Sequence, residues 1–545
     1  MQRRYTGSFT IFIKLTALLA VACMLFCSCS REEDIIDILD PSIASNASEM
    51  PLPDTDTEAQ KDLIHYNLPK IEDMHPLDSH SIEVDNLFSL IFDRALVQNS
   101  DGSFSGGVIE SWNIEDDGKL YTFNIRSGIS FHDETLGTVT AYDIEYALNY
   151  IMDETHTEAY NHAMAEGIEE ITVKSTTSIT VKLSSKKHDM LSLMNFFVVP
   201  KAYYQGETSR TRKTPVGTGA YTVKTFEKDY YILLQRNESY WKKLPVFGQI
   251  EVIPVDDKEV KLGSDIFNDV EMIFSTSFTS GSLGKTGRTT LNQIRTDNLY
   301  CLLMNVYNDN LSKKNIRKAI SYGIDRTDIV RESMMGLGEM TYTPLVETYY
   351  GITNRIEGLY SQNIKESYQL LQREGYYIEE MEEGEYIFTL RLAYEASPAS
   401  YDLNKMIAQE IRKSLENLHI KVELVGFAGQ EEFEKALSGG NFHLALCQYR
   451  IGPDYDLSDL FSGIKGHYSN SKLNDALKRC RTATTDEEVK EAYTAVHDIL
   501  VDDMPVIGLF FEEYSLITSY DITVPEKLVN GNIFSNISEW GYKGK

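Results

Sequence analysis

Cysteine is scarce and unevenly placed. Six occur in 545 residues; Cys23, Cys27 and Cys29 crowd near the start, leaving Cys301, Cys447 and Cys480 for everything after. Three widely separated cysteines make neither a disulfide framework nor a paired-cysteine zinc site, and one disulfide or three buried thiols both stay open as readings. Positive charge is also short: 52 Lys and Arg face 82 Asp and Glu, a formal net charge of -30. Nucleic acid is therefore excluded as a partner, since phosphate binding draws on clustered basic residues, whereas cationic or zwitterionic ligands are favoured. Beyond the first thirty residues no apolar run is long enough for a membrane-spanning helix, and no internal repeat is evident. H-E-x-x-H and G-x-S-x-G are both missing, and "GSLGKTG" (281–287) has Thr279 where a phosphate loop needs its first glycine. Enzymatic chemistry is not expected. An exported enzyme would need catalytic residues converging from distant segments.

The N-terminus is informative. Arg3, Arg4 and Lys14 precede the apolar run "LTALLAVACMLF" (15–26), which has the length of a signal-peptide core rather than of a spanning helix. Cys29, preceded by the small Ser28, resembles the acylated cysteine of a bacterial lipobox, with Cys23 and Cys27 as competing positions. A signal peptide over 1–28 and a lipid anchor at Cys29 are the expectation. The acidic, proline-broken stretch that follows, to about residue 59, reads as a tether.

From there on, short β-rich runs alternate with helical ones, the pattern of an α/β protein too long for one core. "KLYTFNIRSGISF" (119–131) alternates like a strand after the turn "DDG"; "EITVKSTTSITVKL" (170–183) and "YTVKTFEKDYYILLQRN" (221–237) read as hairpins. Helical periodicity covers 140–154, with Thr140 as N-cap and Asp143 completing a capping box, and recurs over 312–334, 401–418 and 482–503. "NFHLALCQYRI" (441–451) reads as a buried strand, and "MPVIGLFFEEY" as another.

The stretch after the first of these, "YRIGPDYDLSDLF" (449–461), carries Asp454, Asp456 and Asp459. It is not a calcium loop of the EF-hand kind, which needs glycine where Asp459 stands and glutamate where Lys465 stands. Asp456 and Asp459 read as turn and helix-start residues. "PVGTGAY" (215–221) reads as a turn in which Gly217 and Gly219 supply positive φ. The histidines are scattered, and His75 and His80 take structural or solvent roles.

Several segments, in order, resemble the family 5 extracellular solute-binding proteins of ABC importers, the oligopeptide, dipeptide and nickel-binding group. They are "PLDSHSIEVDNLFSLIFDRAL" (76–96), "ESWNIEDDGKLYTFNIRSGISFHDETLGTVTAYDIEYAL" (110–148), "PVGTGAY", "RNESYW" (236–241), "LLMNVYNDNLSKKNIRKAISYGIDRTDIV" (302–330) and "DMPVIGLFF" (503–511). The resemblance implies a two-lobed periplasmic-binding-protein-like α/β fold with an extra inserted domain. It implies a lobe I of 60–97, 214–303 and 500–545, an inserted domain II of 98–213 and a lobe III of 304–499. It further implies closure of the lobes on a ligand, no cofactor and no catalysis. The expected partners are an oligopeptide and an ABC permease with its ATPase subunits. The protein would act as a monomer held by its lipid on the outer face of the bacterial cytoplasmic membrane.

In the peptide-binding members a strand end pairs with the extended ligand and the following Asp meets its α-ammonium. Here these positions are Arg450, Ile451 and Gly452, and Asp454, with Glu83 on the opposing wall. Ile451 replaces an aromatic residue, the turn has Leu457 in place of its final proline, Ser79 and Glu134 replace a proline and a glycine, and two residues are inserted before Thr140. These departures bear on the ligand, because the same fold serves peptides, nickel complexes, haem and oligosaccharides.

Overall fold

A computed structural model describes residues 63–68, 75–187, 190–206, 213–227, 231–254, 270–280, 288–345, 361–397, 401–452, 455–462, 464 and 468–544. The leader, Cys29 and the tether, the 281–287 loop, Asp454 and Lys465 lie outside the described residues.

The chain begins with β1 (Leu63–Leu68) and α1 (Ile82–Ile91), whose Leu87, Phe88, Leu90 and Ile91 are buried on one face. A hairpin of β2 (Leu96–Gln98) and β3 (Phe104–Gly106) leads into β4 (Ile109–Glu115), β5 (Leu120–Ile125), α2 (Ala141–Met152), β6 (Ile168–Ser175) and β7 (Ser178–Leu183). These last four strands form their own antiparallel sheet in the order β4-β5-β7-β6. On β5 the expected alternation is present, with Tyr121, Phe123 and Ile125 inward. The capping box of α2 is present as well: the Thr140 amide and hydroxyl donate to Asp143 Oδ2 at 2.8 and 2.9 Å.

Next come β8 (Tyr221–Glu227), β9 (Tyr231–Arg236), β10 (Gln249–Pro254), β11 (Met272–Ser275) and the long β12 (Thr289–Met304). They are followed by α3 (Lys314–Gly323), α4 (Arg326–Ser333), β13 (Gly338–Met340), α5 (Ile364–Arg373), β14 (Phe388–Glu395), α6 (Tyr401–Glu416), β15 (Ile420–Phe427), α7 (Gln430–Gly439) and β16 (Leu444–Arg450). The chain closes with α8 (Ser471–Thr482), α9 (Asp486–Asp503) and β17 (Val506–Ser519), before a mostly irregular C-terminal segment. The periodicity over 312–334 resolves into two helices. Asp325 caps the second by accepting from the Asp328 amide at 2.9 Å, and a Cβ on Gly323 would stand 2.3 Å from Leu418 Cδ1.

The main sheet has eleven strands in the order β15-β14-β16-β12-β17-β11-β1-β10-β9-β8, with β13 on β17. β12 and β17 run antiparallel through both lobes, from Thr289 opposite Ser519 to Leu303 opposite Val506. At one end, Ile294 and Leu516 belong to a core shared with α1, the four-stranded sheet and β8–β10. Toward the other, Leu302 and Ile507 belong to a core with α3, α4 and α6. Between the two cores the register breaks: four steps along β12 (295 to 299) match two along β17 (513 to 511). Such a bulge bends a strand and redirects its side chains. The result is the two-lobed α/β fold with an added domain. Cys301, Cys447 and Cys480 are buried free thiols.

Candidate functional site

Three of the sequence motifs meet on one carboxylate. Asp93, two residues past the end of α1 and only 6% exposed, accepts from Thr218 Oγ1 (3.0 Å), Tyr240 OH (3.1 Å), Trp241 Nε1 (2.7 Å) and Lys242 Nζ (2.8 Å). A buried carboxylate is tolerable when its oxygens are this fully used. His132 makes a second junction: its Nδ1 accepts from the Gly217 amide at 3.4 Å while its Nε2 donates to the Gly219 carbonyl at 3.0 Å. Burial holds its pKa below the ordinary value.

The expectation of positive φ at Gly217 and Gly219 is corrected here. Neither is in the left-handed region; a Cβ on Gly217 would lie 2.3 Å from the Ile91 carbonyl oxygen, and one on Gly219 2.5 Å from the Ile91 carbonyl carbon. Close passage over the end of α1, not backbone strain, excludes a side chain. The later motifs behave alike. Arg317 donates to the Asp503 and Met504 carbonyls, and Arg326 to the Gly508 carbonyl at 2.8 Å, fastening α3 and α4 to the start of β17.

Between α1 and the bulge region lies a cavity of about 710 Å³. One wall comes from α1 and its surroundings: His80, Ile82, Asp85, Arg94, Asn195 and Gly531. Arg94, 7% exposed, lies 4.1 Å over the Phe197 ring and donates to the carbonyls of Asn195 (2.7 Å) and Gly531 (2.9 Å). His80 Nδ1 is 3.5 Å from Asp85. The facing wall is charged and comes from the bulge region: Arg295 and Asp297 of β12, Glu339 of β13, Glu513 of β17 and Arg450 at the end of β16. Gln293 donates to Glu513 at 2.7 Å, and Arg295 is 3.9 Å from Glu339. Burial, with Glu339 adding repulsion, pushes the Glu513 carboxyl up to about 7.

Of the residues named from sequence, Arg450, Ile451 and Gly452 line this cavity. Their main chains are not equivalent. The Ile451 amide donates to the Asp297 carbonyl at 2.9 Å, and the Asn305 amide to the His443 carbonyl at 2.9 Å, which sets the parity of the β12–β16 ladder. Odd-numbered residues of β16 therefore turn their backbone toward β12, and even-numbered ones, Gln448 and Arg450, toward the opposite edge. On that edge β14 pairs with β16 only at Leu444 and Ala445, so β16 runs past the end of its neighbour toward the cavity. The Ile451 amide is already spent in the sheet. Glu83 lies half-buried on α1, electrostatically coupled to Tyr66 and Tyr514, and is not part of the cavity lining, unlike Ile82 and Asp85 beside it.

Asp456 accepts from the Ser458 amide at 2.9 Å and from its hydroxyl, opening the short 3-10 turn Ser458–Phe461 that contains Asp459. Arg94, Asp297, Glu339 and Glu513 escaped sequence reasoning; only the polar run Asn292–Asn298, broken by Ile294 alone and set before the apolar "LYCLLM", hinted at a solvent-facing stretch of β12. Among the described residues no group of three or more His, Cys, Asp or Glu is arranged to hold a metal ion.

Comparison with known proteins extends these observations. The sequence model for bacterial extracellular solute-binding proteins, family 5 Middle, matches residues 103–471. The periplasmic oligopeptide-binding protein OppA of Escherichia coli K12 is 24% identical over 506 residues, covering 85% of this chain and 89% of that protein. The nickel-binding periplasmic protein of the same organism is 22% identical over 286 residues, covering 49% of this chain and only 53% of its own length. Among solved structures, HbpA2 from Haemophilus parasuis superposes with a TM-score of 0.72 at 16% identity, covering 88% of this chain and all (100%) of that one.

Proposed function

The chain belongs to the family 5 bacterial extracellular solute-binding proteins, the substrate-binding components of ABC transporters, and on that premise we propose that it captures oligopeptides in the interlobe cavity. The observation that carries this reading is the edge of β16 running past β14 toward the cavity, where an extended peptide can add as a further strand. Main-chain pairing at Gln448 and Arg450 is blind to ligand side chains, so broad sequence acceptance follows. Asp454, just past this strand, takes the peptide ammonium and sets its register. Lobe I (60–97, 214–303 and 500–545), carrying 98–213, and lobe III (304–499) close on the ligand, and the strands leading from one to the other bend at the bulge, close to the boundary at 303.

In this reading the protein binds rather than catalyses. It is anchored outside the cytoplasm through a lipid on Cys29, acts as a monomer and delivers its peptide to a permease driven by ATPase subunits. Calorimetry of the purified chain with short unmodified peptides tests the ligand class: saturable binding is expected. Binding of a nickel complex, haem or an oligosaccharide with no peptide binding would replace it. Asp454→Ala is expected to weaken free-amine peptides far more than N-acetylated ones, and equal losses would remove Asp454 from the site.

A further inference from the structure

The geometry points to Asp297 as a specificity-determining carboxylate that receives a cationic side chain, the ammonium of a lysine or the guanidinium of an arginine, from the bound peptide. This rests on the peptide reading above and adds a side-chain preference to a site otherwise blind to sequence.

Asp297 sits inside the bulge of β12, opposite Ile451 of the following segment, and lines the cavity. A bulge beside a site commonly serves to re-aim a side chain, and here it falls where the strand passes between the two cores. The carboxylate makes no hydrogen bond or ion pair with any described residue, although two guanidiniums are near. Arg295 is committed elsewhere, donating to the Ser100 carbonyl at 3.0 Å and lying 3.9 Å from Glu339. Arg450 lines the cavity and forms no ion pair with any described residue. Burial pushes the Asp297 carboxyl up despite the attraction of both arginines. An unmatched carboxylate at a cavity wall is costly to keep ionised, and a ligand cation would offset that cost.

Reach decides which cation. A peptide added to the outer edge of β16 lies two strand spacings from β12, about 10 Å. A lysine or arginine side chain laid across β16 closes that distance together with the carboxylate's own length and the contact between them, and a backbone ammonium at the end of the strand does not.

The test is calorimetric titration of the full chain with Ala-Lys-Ala and Ala-norleucine-Ala, which differ by one ammonium, and with free lysine and cadaverine. The lysine peptide is expected to bind about tenfold more tightly, as one charge-assisted contact allows. That ratio should fall to about one in Asp297→Asn and largely survive in Asp297→Glu, which keeps the charge. Thermal melts accompany each variant, and Asp297→Ser repeats the measurement if Asp297→Asn fails to fold. A ratio near one in the parent protein, or one unchanged by Asp297→Asn, overturns the role of Asp297 and leaves peptide binding intact. If cadaverine binds in an Asp297-dependent way and no peptide does, the peptide reading falls and the cation site stands. If nothing binds, both fall.

Discussion

Asp93 gathers donors from a threonine, a tyrosine, a tryptophan and a lysine that lie 125 to 149 residues downstream. Removing the carboxylate would strand the buried Thr218 hydroxyl and leave Tyr240 and Trp241 without their acceptor, while Lys242, 35% exposed, turns to water. Asp93→Ala is therefore expected to cost about 2 to 4 kcal/mol, measurable as a lowered unfolding midpoint in urea. His132 gives a pH dependence of definite sign. Its folded pKa lies below the ordinary value of 6.5, so the unfolded chain binds the proton more readily. The stability it contributes is complete above about pH 6.5 and is lost as pH falls from there toward the folded pKa. Melting temperatures of parent and His132→Gln should converge as the solution is acidified through this window; parallel curves would remove His132 from the account. Among the residues expected to touch ligand, the family resemblance pointed to the strand end Arg450 to Gly452, which lines the cavity. It had no means of finding Asp297, whose importance depends on the bulge that redirects it.

Elements were legible wherever periodicity was strong. The hairpins at 168–183 and 221–236, the capped α2 and the strand–helix alternation after residue 388 follow their hydrophobic patterns. The run over 312–334 shows the limit of that reasoning. Helical spacing continues through Ile324, but Leu418 packs against Gly323 and Asp325 starts a new helix, so packing from a distant segment ends what periodicity alone would continue. Gly219 makes the same point for a loop. Its reason for being glycine is the approach of α1, invisible until the two segments are placed together. Gly219→Ala must push the loop off the Ile91 carbonyl and is expected to cost about 1 to 3 kcal/mol. If calorimetric melting shows instead a small gain, as for a glycine that only loosens the unfolded chain, the close approach is not what selects it.

For the whole molecule, one sheet of eleven strands joins the core of one lobe to the cores on both faces of the other through the continuous β12–β17 ladder. A hinge at the bulge would let the lobes move as units, because side chains packed within each core keep their neighbours while only the irregular step of the ladder bends. Small-angle scattering is expected to show a smaller radius of gyration on addition of a bound peptide, and the difference should vanish when a disulfide engineered across the cavity mouth holds the lobes together. An unchanged radius would mean that ligand enters without closure.

Composition and motif order by themselves determined the class of this protein: a large, acidic α/β chain without catalytic or nucleic-acid signatures, carrying the ordered segments of a solute-binding family. Those properties are written in local pattern and charge, which need no knowledge of where distant residues meet. Only the tertiary structure decided that Asp93 and His132 knit the motifs together, that the glycines of "PVGTGAY" are there for closeness, and that the Ile451 amide is consumed by the sheet while Arg450 faces its open edge. Each of these depends on contacts between segments tens to hundreds of residues apart, where register and packing, not sequence neighbours, set what a side chain touches. The acidic stretch "YRIGPDYDLSDLF" divides along the same line, with Asp456 and Asp459 readable as turn residues from sequence. The cavity's charged wall, Asp297 included, exists only once β12, β13, β16 and β17 are brought side by side.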